Sequence, residues 1–200
     1  MRLIVVFTIS VLSLIPFNAV AQIVVIDAGH GVELSCQNCD RPDEEVLTVM
    51  DVAWKLRDTI QAHCNWTVYL TRPDNNCGSC PTLTQRETMS NSWGADRFIS
   101  IHANAGGGTG TETFWCDQSS SDNVDAQAFA TEVQTQMVSY GQWTDRRVAE
   151  DNSYLGFHLG VLNNNNAIAC LSEIGFYDRA SDLAKLQDPV WQGQFAKAFV

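Results

Sequence analysis

The chain has 200 residues, and its 23 acidic side chains outnumber 12 Lys and Arg, which gives a formal net charge of −11. No long run of Lys or Arg interrupts this acidity, so we expect no nucleic-acid partner and no electrostatic capture of another polyanion. The acidity itself carries no information about the fold.

The first 21 residues have the pattern of a secretory signal peptide. Arg2 precedes an apolar run over residues 3–17, and Ala19-Val20-Ala21 supplies the small-x-small pattern of a cleavage site. The run is short for a bilayer span, and an uncleaved membrane anchor is the alternative interpretation. We expect cleavage after Ala21, a mature domain over residues 22–200, and a secreted or periplasmic protein with no membrane attachment after cleavage.

Short apolar runs alternate with helical patterns along the mature chain. Strands are predicted at residues 23–26, 67–70, 98–101, 112–115 and 167–171, and helices at about 44–63, 82–94, 124–140 and 188–200. The first strand, Ile-Val-Val-Ile, is apolar on both faces, which is typical of a sheet covered on both sides. The predicted fold is a single α/β domain, with a mostly parallel twisted sheet and helices on both faces.

Seven cysteines follow the cleavage site, at positions 36, 39, 64, 77, 80, 116 and 170. Export permits disulfides, which we favour over a structural zinc site built from the Cys36-x-x-Cys39 and Cys77-x-x-Cys80 pairs. An odd count leaves at least one thiol outside any intramolecular disulfide. Cys170, inside an apolar run, is the candidate for a buried thiol.

Three chemistry-bearing residues follow predicted strands. His30 lies between Gly29 and Gly31 after the first strand, and His102 and Glu173 follow two later strands. Functional groups in open α/β sheets gather beyond the carboxyl ends of the strands, so we expect these side chains to converge at one edge. Two His and one Glu with an open fourth position form a catalytic zinc set. The other histidines of the mature chain, His63 and His158, are interpreted as loop residues without a role.

The start of the first predicted helix offers two further carboxylates, Glu44 and Glu45. The apolar positions 46, 49, 50, 53, 56 and 60 form one buried face of this helix. At about 100° per residue, Glu45 projects roughly 70° from the centre of that face and Glu44 roughly 170°. Glu45 is therefore the expected ligand, and Glu44 is interpreted as a solvent-facing carboxylate favoured by the helix dipole.

The chain also carries a series of short motifs between residues 22 and 176. They are Ile26-Asp27-Ala28-Gly29-His30-Gly31, Glu45 ahead of Asp51-Val52-Ala53, Leu70-Thr71-Arg72-Pro73-Asp74, Leu83 with Arg86, Phe98-Ile99-Ser100-Ile101-His102-Ala103-Asn104, Gly110-Thr111-Glu112-Thr113-Phe114 and Glu173-Ile174-Gly175-Phe176. In this order they resemble the zinc-dependent N-acetylmuramoyl-L-alanine amidase family, in its amidase 3 (AmiC-like) branch. Residues 32–43 depart from the family pattern, because they contain cysteines where relatives are Gly-rich.

The resemblance implies a zinc ion held by His30, Glu45 and His102, with Glu173 as the catalytic carboxylate. It implies hydrolysis of the amide bond between N-acetylmuramic acid and the L-alanine of the stem peptide. The expected partner is therefore peptidoglycan, and no activator is indicated. Residues 22–200 would then form a zinc amidase catalytic domain.

Three polar residues near the predicted strand ends are candidates for orienting the zinc ligands: Asp27, Asn104 and Glu112. Hydrogen bonds from such residues fix the direction of a ligand, and strand-end capping is the equal alternative. Arg72, Asp74 and Arg86 are interpreted as structural.

Two other functions stay open on the sequence alone. A zinc peptidase that cuts within the stem peptide would share the metal chemistry. A non-catalytic wall-binding module would share only the fold, and the presence of all four site residues counts against it.

Overall fold

The computed structural model describes residues 22–31, 43–76, 80–118 and 123–200. The predicted signal peptide and Cys36, Cys39 and Cys77 lie outside the described residues, so the predictions made for them stay predictions. Within the described segments, no helix is both long and apolar enough to cross a membrane.

Six strands form one sheet in the described part of the chain. They are β1 (Ile23–Ala28), β2 (Thr67–Leu70), β3 (Arg97–Asn104), β4 (Thr111–Trp115), β5 (Asp145–Glu150) and β6 (Ile168–Phe176), in the spatial order β2-β1-β3-β6-β4-β5. The first four strands in that order run parallel, β4 is antiparallel to β6, and β5 is parallel to β4. The predicted, mostly parallel sheet is confirmed.

Six helices accompany these strands in the described segments. They are α1 (Asp43–His63), α2 (Leu83–Trp93), α3 (Asn123–Gly141), α4 (Asp151–Leu155), α5 (Ala180–Leu186) and α6 (Pro189–Lys197). α2 begins at a capping box in which Thr82 and Gln85 satisfy each other's backbone N–H groups. α6 begins with Asp188 as its N-cap and Pro189 in its first turn.

The sheet has an apolar core on each face, as its doubly apolar strands predict. Val24 and Ile26 of β1 belong to the core that α1, α3 and α6 cover, whereas Val25 belongs to the core on the opposite face. On that opposite face, Trp93 of α2 and Leu155 of α4 pack against the sheet. The predicted arrangement of helices on both faces is therefore confirmed.

Two strands are longer than the sequence pattern indicates, and this corrects the predicted placement of two site residues. β3 continues to Asn104 and β6 to Phe176, since the two strands stay hydrogen-bonded past their apolar runs, with a bulge between His102 and Asn104. His102 and Glu173 therefore lie inside strands and pair with each other across β3 and β6. The predicted strand ends at residues 101 and 171 were wrong.

Three elements were missed from the sequence: β5, α4 and α5. β5 has the sequence Asp-Arg-Arg-Val-Ala-Glu and lies at the edge of the sheet, where a strand needs no continuous apolar run. α4 and α5 contain only five and seven residues, which is too short for a clear helical period.

Three cysteines of the described residues are free thiols. Cys170 is a buried free thiol, as predicted. Cys64 and Cys116 are also in the reduced form, so more than one thiol lies outside disulfides.

Candidate active site

Three side chains that can bind a metal converge at the carboxyl edge of β1 and β3. Glu45 Oε1 lies 3.4 Å from His30 Nε2 and 3.4 Å from His102 Nδ1. The two imidazole rings meet edge to face, with their centroids 4.7 Å apart. The three donor atoms all lie within 4.8 Å of one another. The structure thus brings together the three residues that the sequence placed at one edge.

Each of the three donors reaches the site from a different element. His30 lies two residues beyond β1, Glu45 lies in the first turn of α1, and His102 lies within β3. Glu45 is buried and Glu44 is exposed, which is the helix orientation expected from the apolar face of α1.

Gly29 makes the close packing of this site possible. A Cβ atom on residue 29 would lie 2.5 to 2.7 Å from ring atoms of His102, which is closer than non-bonded atoms approach. The backbone N–H of Gly29 also donates to the carbonyl of Ile101, at 2.9 Å. The ring of His102 therefore packs directly against the backbone that leads to His30.

The charge of the site favours an ionised carboxylate beside the imidazoles. Burial raises the pKa of Glu45, but hydrogen bonds from His102 and His30 outweigh it and bring this pKa to about 2. Burial lowers the pKa of His102, but the hydrogen bond to Glu45 and the charge of Glu173 outweigh it, so this pKa is raised. The backbone N–H of Ala103 also donates to Glu45 Oε1, at 3.2 Å. Glu45 is thus a fixed carboxylate that can bind a cation.

Glu173 lies beside the three donors. It is the register partner of His102 across β3 and β6, and a pocket at this edge is lined by His102, Glu173, Asn104 and Tyr177 together with the other two donors. A carboxylate in this position can exchange a proton with a molecule bound in the pocket. Tyr177 was not identified from the sequence, and no motif marked it.

A buried ion pair lies beneath the site. Asp27 at the end of β1 is fully buried, and its Oδ1 lies 2.6 Å from Arg86 Nη1. Thr71 and Ser100 also donate hydroxyl hydrogen bonds to this carboxylate, at 2.5 and 2.7 Å. Burial raises the pKa of Asp27, but the charge of Arg86 and these hydrogen bonds outweigh it, so the pKa is lowered.

The two arginines beneath the site hold the backbone that carries His30. Arg86 donates to the carbonyl groups of Ala28 and His30, at 2.9 and 2.6 Å. Arg72 donates to the carbonyl groups of Ala28 and Gly29, at 2.9 and 3.1 Å. Burial and the charge of Arg86 lower the pKa of Arg72 to about 10. These contacts fix His30 in a left-handed backbone conformation with φ of 53°, which is uncommon for residues other than glycine.

Asn104 of β3 and Glu112 of β4 belong to a second polar network, on the two strands that flank Glu173 of β6. Asn104 Nδ2 donates to Glu112 Oε1 at 2.6 Å, and Glu112 is the register partner of Glu173 across β4 and β6. Arg146 and Arg147 of β5 bind Glu112 Oε2 at 2.9 and 2.5 Å. Neither arginine was predicted as part of the site, because β5 was not predicted as a strand, although an Arg-Arg pair in an acidic chain is a recognisable sequence signal.

The remaining histidines lie apart from this site. His63 is the exposed last residue of α1. His158, to which the sequence assigned no role, lies 3.0 Å from Asp151 Oδ1 and 3.3 Å from Cys116 Sγ.

The donor set fits a zinc ion. A tetrahedral zinc ion with bonds of about 2.0–2.1 Å holds neighbouring donor atoms about 3.3 Å apart. The observed separations from Glu45 Oε1 to the two imidazole nitrogens, both 3.4 Å, match this value. Two imidazoles and one carboxylate are also a donor set found in zinc hydrolases.

An α/β sheet that carries this donor set next to a second carboxylate defines a candidate metallohydrolase. A family model described as N-acetylmuramoyl-L-alanine amidase (amidase 3) matches residues 24–200. The chain belongs to this family.

Relatives of the chain carry the same description. It is 33% identical over 175 residues to the N-acetylmuramoyl-L-alanine amidase CwlM of Bacillus licheniformis, which covers 87% of this chain and 64% of that protein. It is 30% identical over 165 residues to the sporulation-specific N-acetylmuramoyl-L-alanine amidase of Bacillus subtilis (strain 168), which covers 82% of this chain and 60% of that protein. The chain thus spans less than two thirds of the length of these curated relatives.

Solved structures share the fold. The N-acetylmuramoyl-L-alanine amidase from Clostridium difficile 630 superposes with a TM-score of 0.75 and is 27% identical, covering 90% of this chain and 92% of that one. The catalytic domain of CwlV, an N-acetylmuramoyl-L-alanine amidase from Bacillus (Paenibacillus) polymyxa, has a TM-score of 0.73 and 26% identity, covering 89% and 93%.

The buried ion pair beneath the site generates a stability prediction. We predict that Asp27→Asn lowers the free energy of unfolding by about 3–5 kcal/mol, because Arg86 stays buried without its counter-charge. The Arg57–Asp58 pair is the matched control, since its side chains are 34% and 65% exposed. Asp58→Asn should cost about 0–1 kcal/mol. Urea unfolding at neutral pH measures both values, and equal losses would contradict the prediction.

Proposed function

We propose that this chain is a zinc-dependent N-acetylmuramoyl-L-alanine amidase that hydrolyses the amide bond between N-acetylmuramic acid and the L-alanine of the stem peptide in peptidoglycan. The main observation that supports this proposal is the convergence of His30, Glu45 and His102 beside Glu173 in a chain of the amidase 3 family. The substrate follows from the family and from the descriptions of the relatives.

The proposed zinc ligands are His30 Nε2, Glu45 Oε1 and His102 Nδ1. A zinc ion bound there supplies Lewis acidity, which polarises a carbonyl group and makes a water molecule acidic enough to attack near neutral pH. The hydrogen bond from Ala103 N–H and the packing of Gly29 against His102 keep the donors in place, so little rearrangement is needed for metal binding.

Glu173 is the proposed general base and then the general acid. Its carboxylate takes a proton from the attacking water while the water oxygen bonds to the carbonyl carbon of the lactyl group. The bond from that carbon to the L-alanine nitrogen then breaks, and Glu173 passes the proton to the departing amine. The support for this role is the place of Glu173 in the pocket beside the donors.

Three further residues position the site in this proposal. Asp27 acts through Arg86, which holds the carbonyl of His30. Asn104 lines the pocket and is hydrogen-bonded to Glu112, and this pair keeps the residues around Glu173 ordered.

The protein would act outside the cytoplasm, where its substrate lies. The proposed route is export with removal of residues 1–21, followed by disulfide formation among the paired cysteines. Cys80 supports the second step, because it is not among the free thiols of the described residues. Intact mass of the secreted protein, measured with and without thiol alkylation, tests both steps. A retained leader, or seven alkylated cysteines without prior reduction, would contradict them.

The activity is tested by mass spectrometry of purified peptidoglycan after incubation with the zinc-loaded protein. We expect release of stem peptides with a free L-alanine amino terminus, and glycan strands that keep their length. A chelator should abolish the release and added zinc should restore it. Shortened stem peptides would instead identify a peptidase, and unchanged peptidoglycan would favour a binding module.

The identity of the third zinc ligand is tested with two neighbouring glutamates. We predict that Glu45→Ala loses active-site zinc, because the buried carboxylate between the two imidazoles is removed. Glu44→Ala is the matched control and should keep its zinc, since Glu44 is exposed. Metal analysis of both variants gives the result, and loss of zinc only from Glu44→Ala would mean that the ligand is misassigned.

The role of Glu173 is tested by Glu173→Gln, which keeps the shape of the side chain but cannot accept a proton. We predict that the zinc content stays unchanged while the rate of amide hydrolysis falls by about 10²- to 10⁴-fold. Glu132→Gln, on the exposed face of α3, is the control and should keep its rate. A Glu173→Gln variant with near-normal turnover would remove Glu173 from the mechanism.

A further inference from the structure

A second cluster of metal-binding side chains lies where β4 ends and α4 begins. Cys116 Sγ lies 3.3 Å from His158 Nδ1, and the same nitrogen lies 3.0 Å from Asp151 Oδ1. The thiol, imidazole and carboxylate donors all lie within 4.8 Å of one another. Three donors at this spacing can share one ion of the size of zinc.

The three donors come from separate segments and are mostly buried. Cys116 directly follows β4, Asp151 is the first residue of α4, and His158 lies three residues beyond the end of α4. Cys116 and Asp151 are fully buried, whereas the side chain of His158 is 26% exposed. An ion at their centre would therefore be enclosed by protein on most sides and reachable from solvent past the imidazole.

The carboxylate of this cluster is held in a fixed orientation. Asp151 Oδ1 accepts a hydrogen bond from the backbone N–H of Asn152, and its Oδ2 accepts one from Leu159, both at 2.7 Å. Hydrogen bonds of this kind orient a ligating carboxylate in metal sites and leave further lone pairs for the ion.

This cluster is separate from the candidate active site. β4 runs antiparallel to β6, and Glu112 near its start is the register partner of Glu173. Cys116 lies four residues further on, which is about 13 Å along an extended strand. One ion cannot serve both clusters.

A nucleophilic Cys-His-Asp arrangement does not fit this geometry. Such a site needs an imidazole that faces the thiol with one ring nitrogen and the carboxylate with the other. Here the Nδ1 atom of His158 faces both groups. Burial also raises the pKa of the Cys116 thiol to about 12, which disfavours a reactive thiolate. The three side chains can instead bind one metal ion together.

We propose that Cys116, Asp151 and His158 bind a second zinc ion, with water in the fourth position. A thiolate and an imidazole favour zinc over magnesium or calcium, which prefer all-oxygen sites. The thiol proton is released to solvent when the ion binds. The ion would link the end of β4 to the start of α4 and to the loop that follows α4.

Metal analysis of the purified protein tests this inference. We expect two zinc ions per chain in the wild type and one in His158→Gln, a change at a partly exposed position. His63→Gln is the matched control and should keep two, since His63 is exposed at the end of α1. An unchanged count in His158→Gln overturns the inference.

Different zinc counts would contradict the amidase centre and the second site. In His30→Ala, one zinc should remain and should be lost on adding His158→Gln. A wild type with one zinc that His30→Ala removes would overturn the second site and keep the amidase centre. If the wild type holds one zinc and only His158→Gln removes it, the second site is kept and the amidase zinc centre is overturned.

Cobalt substitution adds a spectroscopic test of the thiolate ligand. The Cys116 site should give a thiolate-to-cobalt charge-transfer absorption in the near ultraviolet, whereas the two imidazoles and the carboxylate of Glu45 cannot. We expect this absorption in His30→Ala and its loss in Cys116→Ser and in His158→Gln. Absorption that survives in Cys116→Ser comes from the other cysteines and overturns the inference.

Discussion

The buried ion pair between Asp27 and Arg86 supports the candidate active site from below. Burial of either charge alone is costly, so the two residues fix each other's position. Arg86 also donates hydrogen bonds to the carbonyl groups of Ala28 and His30. A backbone held in this way can keep His30 in a left-handed conformation, with its ring directed at Glu45. The ion pair thus stabilises the end of β1 in the conformation that positions the imidazole of His30.

The register of three neighbouring strands forms the rest of the site. β6 lies between β3 and β4, so that Glu173 has His102 on one side and Glu112 on the other. The reversal of β4 relative to β6 brings the start of β4 to the same edge at which the parallel strands end. Arg146 and Arg147 then balance the charge of Glu112, which allows two carboxylates to lie on adjacent strands at this edge.

Much of this arrangement can be predicted from local sequence, because apolar runs and helical faces are local properties. The orientation of Glu45 follows from the period of α1 alone. The convergence of His30 and His102 follows from the shared carboxyl edge of parallel strands, although β3 continues past His102 to Asn104. The pairing of Glu112 with Arg146 depends on a register between strands far apart in sequence, and β5 is a polar edge strand without a hydrophobic pattern. The surroundings of His158 could likewise not be predicted from local sequence, since Cys116 and Asp151 are contributed by other parts of the chain.

The strand order also determines when the site can become complete during folding. Neighbouring strands in this sheet are distant in sequence, and such non-local pairing is slow because long loops must close first. A chain folded only through β3 would already hold His30, Glu45 and His102 but would lack Glu173, which arrives with β6. Partly folded molecules could therefore capture a metal ion before they gain the proposed proton-transfer group. Under the proposed function, hydrolysis would therefore require β6, the last of the central strands in the chain.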